Sequence, residues 1–276
     1  MCLLAVVFGI HPEAPLVIAA NRDERLTRPA EPVQVLCSTT PQILGGRDAL
    51  AGGTWLAVNE HGLSAGLANR PSIGGRDLSR RSRGELPLIL ADHARAGDAV
   101  AAFGERVRCT EYNPCWLLVG DREALFYIVI GRSEKPEIIR LPPGIHVLEN
   151  RPLDVVSAKA EMIRRALTPV GGWLGPTLVT QLHAVLRSHE FPARELPDDV
   201  DDDAGLRPPQ VQAACVHTPD YGTRSASLII VSSEPDSFPR VYYADGPPCM
   251  APLLDASHLW SVRAAPAVGP RSSHER

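Results

Sequence analysis

Short apolar runs separated by polar turns dominate the first third of the chain. Residues 3–8 and 15–20 are continuous apolar runs, and the link between them contains glycine, histidine and proline. This pattern predicts a hairpin of buried strands. Residues 54–58 and 63–67 flank a four-residue polar turn, which predicts a second hairpin. The N-terminal region is therefore predicted to be rich in β-structure.

Helical and strand patterns then alternate in blocks. Ser82 and Glu85 have the spacing of a capping box, which predicts a helix that runs to about Ala94. Further helices are predicted at 98–107, 157–167 and 176–188, and further strands at 115–119, 124–130, 137–141, 145–148, 211–216, 227–231 and 240–243. Because regular βα alternation is missing, this order favours mainly antiparallel sheets covered by pairs of helices.

Composition narrows the class of protein. The chain is 44% hydrophobic and 22% charged, which is typical of a soluble globular protein. A net charge of −4 without a long basic run argues against a nucleic-acid surface. No segment approaches the ~20 apolar residues of a membrane span, so no membrane span is expected. Residues 2–10 are apolar but lack the flanks of a signal peptide, so the predicted location is cytoplasmic, with reduced cysteines.

The spacing of potential metal ligands predicts no metal site and no bound cofactor. The six cysteines, at positions 2, 37, 109, 115, 215 and 249, show no close-paired zinc spacing, and the nine histidines form no ligand pair. The acidic, proline-rich stretch 192–210 is interpreted as a hydrated loop, since it lacks the spacing of a calcium loop. Residues 264–276 are rich in proline, serine and charge, and are predicted to form a flexible tail.

Cys2 is the first candidate for chemistry. An initiator methionine is removed most readily before a small residue, so Cys2 is expected to become the N-terminal residue. It would then carry both a thiol, with a pKa near ~8.5, and an α-amine, with a pKa near ~7.7–8.0, which is a base within reach of the thiol. A buried, purely structural cysteine is the alternative.

Polar residues at the ends of apolar strands supply possible partners for Cys2. In the tetrapeptide 21–24, Arg22 would favour the thiolate form of Cys2, and Asp23 would bind its α-ammonium group. The alternative is that these four residues form an ordinary salt-bridged turn. Asn69 and Asn150 end two predicted strands and would suit an oxyanion hole, or simply turns. Arg224 would bind an anionic group or pair with an internal acid.

Several motifs occur in the order known from one protein family. They are Met1-Cys2, Ala19-Ala20-Asn21-Arg22-Asp23-Glu24, Gly46-Arg47-Asp48, Gly52-Gly53-Thr54-Trp55-Leu56, Ser82-Arg83-Gly84-Glu85-Leu86, Tyr112-Asn113-Pro114, His146-Val147-Leu148 with Asn150, and Tyr221-Gly222-Thr223-Arg224. In residues 1 to about 235 the chain resembles the Transport and Golgi organisation protein 2 family, also called the NRDE family. That resemblance implies one domain over residues 1–263, an α+β four-layer αββα sandwich of two mainly antiparallel sheets, as in N-terminal nucleophile hydrolases.

The resemblance and the candidate residues together predict a function. The leading hypothesis is hydrolysis of the C–N bond of a small-molecule amide, with a site formed by Cys2, Arg22, Asp23, Asn69, Asn150 and Arg224. The alternative, implied by the roles associated with the family, is a non-catalytic protein on the same fold that binds and traffics haem or a lipid or acyl ligand. The sequence predicts neither the oligomeric state nor the identity of the substrate.

Overall fold

Two antiparallel sheets form the centre of the molecule. The computed structural model describes residues 2–70, 75–155, 157–192 and 209–261, with the main chain alone for Cys2 and Pro209. In spatial order, the first sheet contains β10 (Gly144–Leu148), β1 (Cys2–Phe8), β2 (Leu16–Arg25), β11 (Tyr221–Val231), β12 (Arg240–Ala244) and β13 (Leu254–Asp255). The second contains β3 (Ala30–Cys37), β4 (Ile43–Asp48), β5 (Leu56–Asn59), β6 (Ser64–Asn69), β7 (Cys115–Gly120), β8 (Leu125–Ile130) and β9 (Glu137–Leu141).

A pair of helices covers the outer face of each sheet. Helices α1 (Glu85–Ala91) and α2 (Ala96–Arg106) pack on the second sheet, and α3 (Ala158–Leu167) and α4 (Pro176–Leu186) pack on the first. The apolar residues accordingly form three clusters, one under each helix pair and one between the sheets. The four-layer αββα architecture predicted from the sequence is therefore confirmed.

Strand β1 shows why its sequence is a continuous apolar run. Its odd-numbered residues, such as Leu3 and Val7, face helices α3 and α4, whereas Leu4 and Phe8 face the second sheet. Successive side chains of a strand point to opposite faces, and both faces of this strand are buried. The β1–β2 hairpin matches the prediction, with Ala5 opposite Ala19.

Two local predictions from the sequence are wrong. Glu85 does not close a capping box on Ser82, because its carboxylate pairs with Arg81 at 2.7 Å. Residues 211–216 form no strand; a 3₁₀ turn, Pro209–Gln212, leads into an irregular segment. Strand β4 also approaches Trp55 closely, since a Cβ on Gly46 would meet the ring of Trp55 at 2.4 Å.

The acidic loop prediction falls mainly on residues 193–208, and the tail prediction on 264–276; both lie outside the described residues. Within the described part of the chain, no helix is both long and apolar enough to cross a membrane.

Candidate functional site

Strand β2 directs its polar tetrapeptide to two different faces of the first sheet. Asn21 points toward the helical layer, where its Nδ2 donates hydrogen bonds of 2.8 Å to the main-chain oxygens of Leu186 and Ala214. Arg22 points between the sheets, where its guanidinium lies over Trp55. The alternation of a β-strand thus separates neighbours in the sequence, and Asn21 serves to fasten two distant segments.

Arg22, Asn69 and Asn150 lie at the end of the sandwich where β1 begins. The main chain of Cys2 lies opposite Arg22 in the β1–β2 ladder. The β1–β10 ladder ends with Leu4 opposite Leu148, so Asn150 follows β10 at the end of the sheet where β1 begins. The side chain of Asn150 donates a hydrogen bond to the main-chain oxygen of Asn69, which connects the two sheets at this end.

Arg22 is a buried cation with few polar contacts. It is 5% exposed, its Cζ lies 4.5 Å from the centroid of the Trp55 ring, and its Nη2 lies 4.0 Å from a carboxylate oxygen of Glu24. Among the described residues, its Nη1 has no hydrogen-bond partner. A buried guanidinium in this state is a strong site for an anion, because it regains a charge-assisted hydrogen bond on binding.

Asp23 lies on the opposite face of the sheet from Arg22 and is buried. Its Oδ1 accepts a 2.6 Å hydrogen bond from the hydroxyl of Thr223. Burial raises the pKa of the Asp23 carboxyl, whereas the positive charge of Lys159, the Thr223 hydrogen bond and Arg22 act to lower it. Asp23 therefore belongs to a polar group beneath the helical layer.

Lys159 is the residue of this group that sequence reasoning missed. It is fully buried on α3, and its ammonium lies 3.4 Å from the main-chain oxygen of Val211. A signal existed in the sequence: Lys159 occupies the same helical stripe as Ile163 and Leu167, both of which are buried. A lysine on an apolar stripe predicts a buried partner of opposite charge.

Arg224 is placed apart from the Asn69–Asn150 contact. The β2–β11 register shifts between Thr223 and Ser225, so Arg224 is the extra residue of a bulge. Its guanidinium donates to the main-chain oxygen of Leu26, in the turn after β2. Of the six predicted site residues, the structure therefore places Arg22, Asn69, Asn150 and the main chain of Cys2 at one end of the sandwich. Asp23 follows Arg22 at this end but has its side chain on the opposite face of the first sheet, and Arg224 contacts the turn after β2.

A second group of reactive side chains lies at the helical layer. His189, Cys215, His217 and Cys249 each offer a ligand atom, and these four atoms lie within 4.8 Å of one another. The prediction that no metal binds was based on spacing along the chain. Spacing of that kind does not detect ligands that three separate segments bring together.

The layers and connections define a protein of the N-terminal nucleophile hydrolase-like fold. The fold is similar to that of a solved structure, the "Caenorhabditis elegans N-acylethanolamine-hydrolyzing acid amidase (NAAA) ortholog", with a TM-score of 0.50, 14% identity, and coverage of 83% of this chain and 92% of that one. At this identity the likeness concerns the fold alone.

The family is established by closer similarity. A family model described as "Transport and Golgi organisation 2" matches residues 1–238. The Bos taurus "Transport and Golgi organization protein 2 homolog" is 30% identical over 257 residues, which cover 85% of this chain and 90% of the relative. The Homo sapiens homolog is 29% identical over 258 residues, with 85% and 90% covered. The chain belongs to the Transport and Golgi organisation 2 family, as its motifs predicted.

Proposed function

We propose that the protein is a cysteine amidohydrolase whose nucleophile is Cys2 after removal of Met1. The observation that carries the proposal is the position of Cys2 opposite Arg22, at the end of the sandwich where Asn150 contacts Asn69. A buried arginine beside a thiol favours the thiolate. The N-terminal nucleophile hydrolase-like fold supports the proposal, since it leaves the start of β1 at this end.

The proposed reaction proceeds in two steps. The α-amine of Cys2 accepts the thiol proton, and the sulfur attacks the carbonyl carbon of the amide. The C–N bond then breaks as the ammonium returns its proton to the leaving nitrogen, which departs as an amine and leaves a thioester. Attack by water releases a carboxylic acid and regenerates the thiol.

Neighbouring residues have distinct roles in this scheme. Asn69 and Asn150 donate to the oxygen that becomes negative in the tetrahedral intermediate, and their mutual contact holds the Asn150 amide in one orientation. Arg22 stabilises the thiolate. Asp23 follows the last residue of β2 that pairs with β1, so it lies beside the position expected for the α-ammonium and orients it through charge.

Mass spectrometry tests the proposal directly. The intact protein is expected to lack Met1, and an electrophilic acyl probe is expected to add one acyl group. Cys2→Ala should abolish the addition, whereas Cys37→Ala should retain it, because Cys37 is a half-buried thiol of β3 that contacts Thr39. Retention of Met1, or equal labelling of Cys2→Ala, would contradict the proposal.

A non-catalytic carrier of haem or an acyl ligand would behave differently. Spectral titration with haem would then give saturable binding in both the unmodified protein and Cys2→Ala, without acylation of either.

We also propose that the protein works in the cytoplasm. The described cysteines, at positions 37, 109, 115, 215 and 249, are all free thiols, which is the state expected in a reducing compartment.

A further inference from the structure

The cluster of His189, Cys215, His217 and Cys249 has the composition and the dimensions of a tetrahedral metal site. The Sγ atoms of Cys215 and Cys249 are 3.6 Å apart. The Nε2 of His217 lies 3.6 Å from the first sulfur and 3.2 Å from the second. With Zn–S bonds of about 2.3 Å and Zn–N bonds of about 2.0–2.1 Å, neighbouring ligand atoms of a tetrahedral zinc ion are roughly 3.3–3.8 Å apart.

The hydrogen bonds around the cluster fix the ligands as they do in metal sites. The Nδ1 of His189 lies 3.1 Å from the main-chain oxygen of Cys215, so a proton on Nδ1 leaves Nε2 as the ligating nitrogen. A ligating histidine commonly donates its other ring N–H to a main-chain carbonyl in this way. The ring centroids of His189 and His217 are 5.1 Å apart, which keeps both imidazoles at the cluster.

Hydrogen bonds hold each ligand segment in place without a metal ion. The main-chain N–H of Cys215 donates to Ser188, and that of Val216 donates to the hydroxyl of Thr223, each at 2.9 Å. Cys249 lies in a turn in which Met250 and Ala251 donate to the oxygen of Pro247. A histidine of α4, His183, lies 2.9 Å from the oxygen of Pro248 and holds this turn. The ligands are therefore preorganised before any ion binds.

We propose that these four side chains bind one Zn²⁺ ion as a structural site. Two thiolates and two imidazoles form a complete tetrahedral set, which is typical of structural zinc and leaves no position for a substrate. Cys215 is buried while both histidines are exposed, so the ion enters from the histidine side.

The site connects three parts of the chain that meet at the helical layer. It ties the segment after α4, the residues before β11 and the loop after β12 to one another. From Val216 the connection continues to Thr223 and then to Asp23 through two hydrogen bonds. The ion thus stabilises the region that packs against β2, and this role is independent of the proposed hydrolase activity.

Metal titration of the tag-free full chain tests the proposal. Protein stripped with a chelator and kept reduced is titrated with Zn²⁺ against a chromophoric competitor, and Co²⁺ serves as a spectroscopic substitute. We expect one Zn²⁺ per chain, and a tetrahedral Co²⁺ spectrum with thiolate charge-transfer bands. At a hundredfold excess of free Zn²⁺ over Kd, Tm should rise by about 5 °C, because the ion binds only the folded state.

Variants locate the ion. Cys249→Ala and His217→Ala should each reduce zinc affinity at least a hundredfold, whereas Cys37→Ser should leave it unchanged. Circular dichroism of each variant without metal shows whether the variant folds. Cys249 and His217 are replaced in separate variants, so that one of them still tests the site if the other does not fold. Equal zinc affinity in all three folded variants would overturn the proposal. So would reduced protein that binds no zinc while oxidised protein contains a Cys215–Cys249 disulfide.

Discussion

The guanidinium of Arg22 lies 4.5 Å from the centre of the Trp55 ring, and this contact joins β2 of the first sheet to the residue that precedes β5 of the second. A desolvated cation–π contact is worth about 2 kcal/mol. The buried Nη1, which has no hydrogen-bond partner among the described residues, costs about 1–3 kcal/mol. The two effects are similar in size, so Arg22 contributes little net stability. Stability alone therefore does not explain why a charged side chain is buried at this position.

Replacement of Arg22 should therefore separate stability from reactivity. Arg22→Met keeps an unbranched side chain without the charge, and we expect the free energy of unfolding to change by less than about 1 kcal/mol. If the proposed site is right, reaction of Cys2 with an acyl probe should slow at least tenfold, because Arg22 is the cation proposed to favour the thiolate. Denaturant unfolding and the rate of labelling measure the two effects.

Arg95→Met is the matched control for that experiment. Arg95 is exposed and pairs with Glu123 at 3.1 Å on the far side of the second sheet. The Arg95→Met variant should equal the unmodified protein both in its free energy of unfolding and in its rate of Cys2 labelling. If Arg22→Met labels as fast as this control, Arg22 has no role at the proposed site.

Lys159 should control the stability of the protein through Asp23. Lys159→Met removes the positive charge that lowers the pKa of the buried Asp23 carboxyl, so that pKa rises further. A carboxyl whose pKa is raised by folding destabilises the protein as pH rises through that pKa. We expect Lys159→Met to reduce the free energy of unfolding at pH 7 by about 1 kcal/mol or more, since each pKa unit corresponds to about 1.4 kcal/mol.

The loss should depend on pH and on Asp23. It should shrink toward pH 4 and below, near the ordinary carboxyl pKa of ~3.9, where Asp23 is protonated in both the folded and unfolded states. The double variant Asp23→Asn with Lys159→Met should be more stable at pH 7 than Lys159→Met alone. Additive effects of the two substitutions would show that the residues do not interact.

The sequence predicts strands that are buried on both faces better than strands at the edge of a sheet. Strand β1 was predicted because both of its faces are buried, which makes its apolar run continuous. Strand β3 was missed because its residues are mostly half-buried or exposed and show no clear alternation. The pattern of apolar residues in a strand reflects which of its faces are buried. An edge strand with little burial therefore shows only a weak pattern.

The sequence indicates the positions of some candidate side chains better than those of others. The strand ends of Arg22, Asn69 and Asn150 were visible in the sequence, and the fold brings these ends together. The direction of Arg224 depends on a bulge of one residue in β11, and no sequence pattern marked it. Cys215 and Cys249 are 34 residues apart, so their contact follows from the tertiary structure alone.

Asp48 should contribute stability that is lost in acid. Its carboxylate accepts two hydrogen bonds from Arg28, the shorter 2.7 Å, and others from the main-chain N–H groups of Leu50 and Ala51. Burial acts to raise the pKa of Asp48, but these contacts outweigh it and lower the pKa. The stabilisation is present above the ordinary carboxyl pKa of ~3.9 and is lost as pH falls through the lowered value.

Asp48→Asn tests this contribution. We expect it to reduce the free energy of unfolding by about 1–3 kcal/mol at pH 7, and by progressively less below pH 4. Denaturant titrations over this range provide the measurement. Glu123→Gln, an exposed carboxyl on the other side of the sheet, should show neither effect. A deficit that is constant with pH would mean that the loss comes from altered packing and not from charge.

Two glycines allow a matched test of the packing that supports Arg22. A Cβ on Gly46 would lie 2.4 Å and 2.5 Å from two carbons of the Trp55 ring, so Gly46→Ala must displace that ring. We expect a loss of about 1–3 kcal/mol in unfolding free energy and a shift in tryptophan fluorescence.

Gly97 lies in α2, and a Cβ there would meet nothing within 4 Å. Gly97→Ala should therefore stabilise the protein by about 0.4–1 kcal/mol, because alanine restricts the unfolded chain and favours the helix. If both substitutions had the same effect, the close approach of Gly46 to Trp55 would not limit the packing between the sheets.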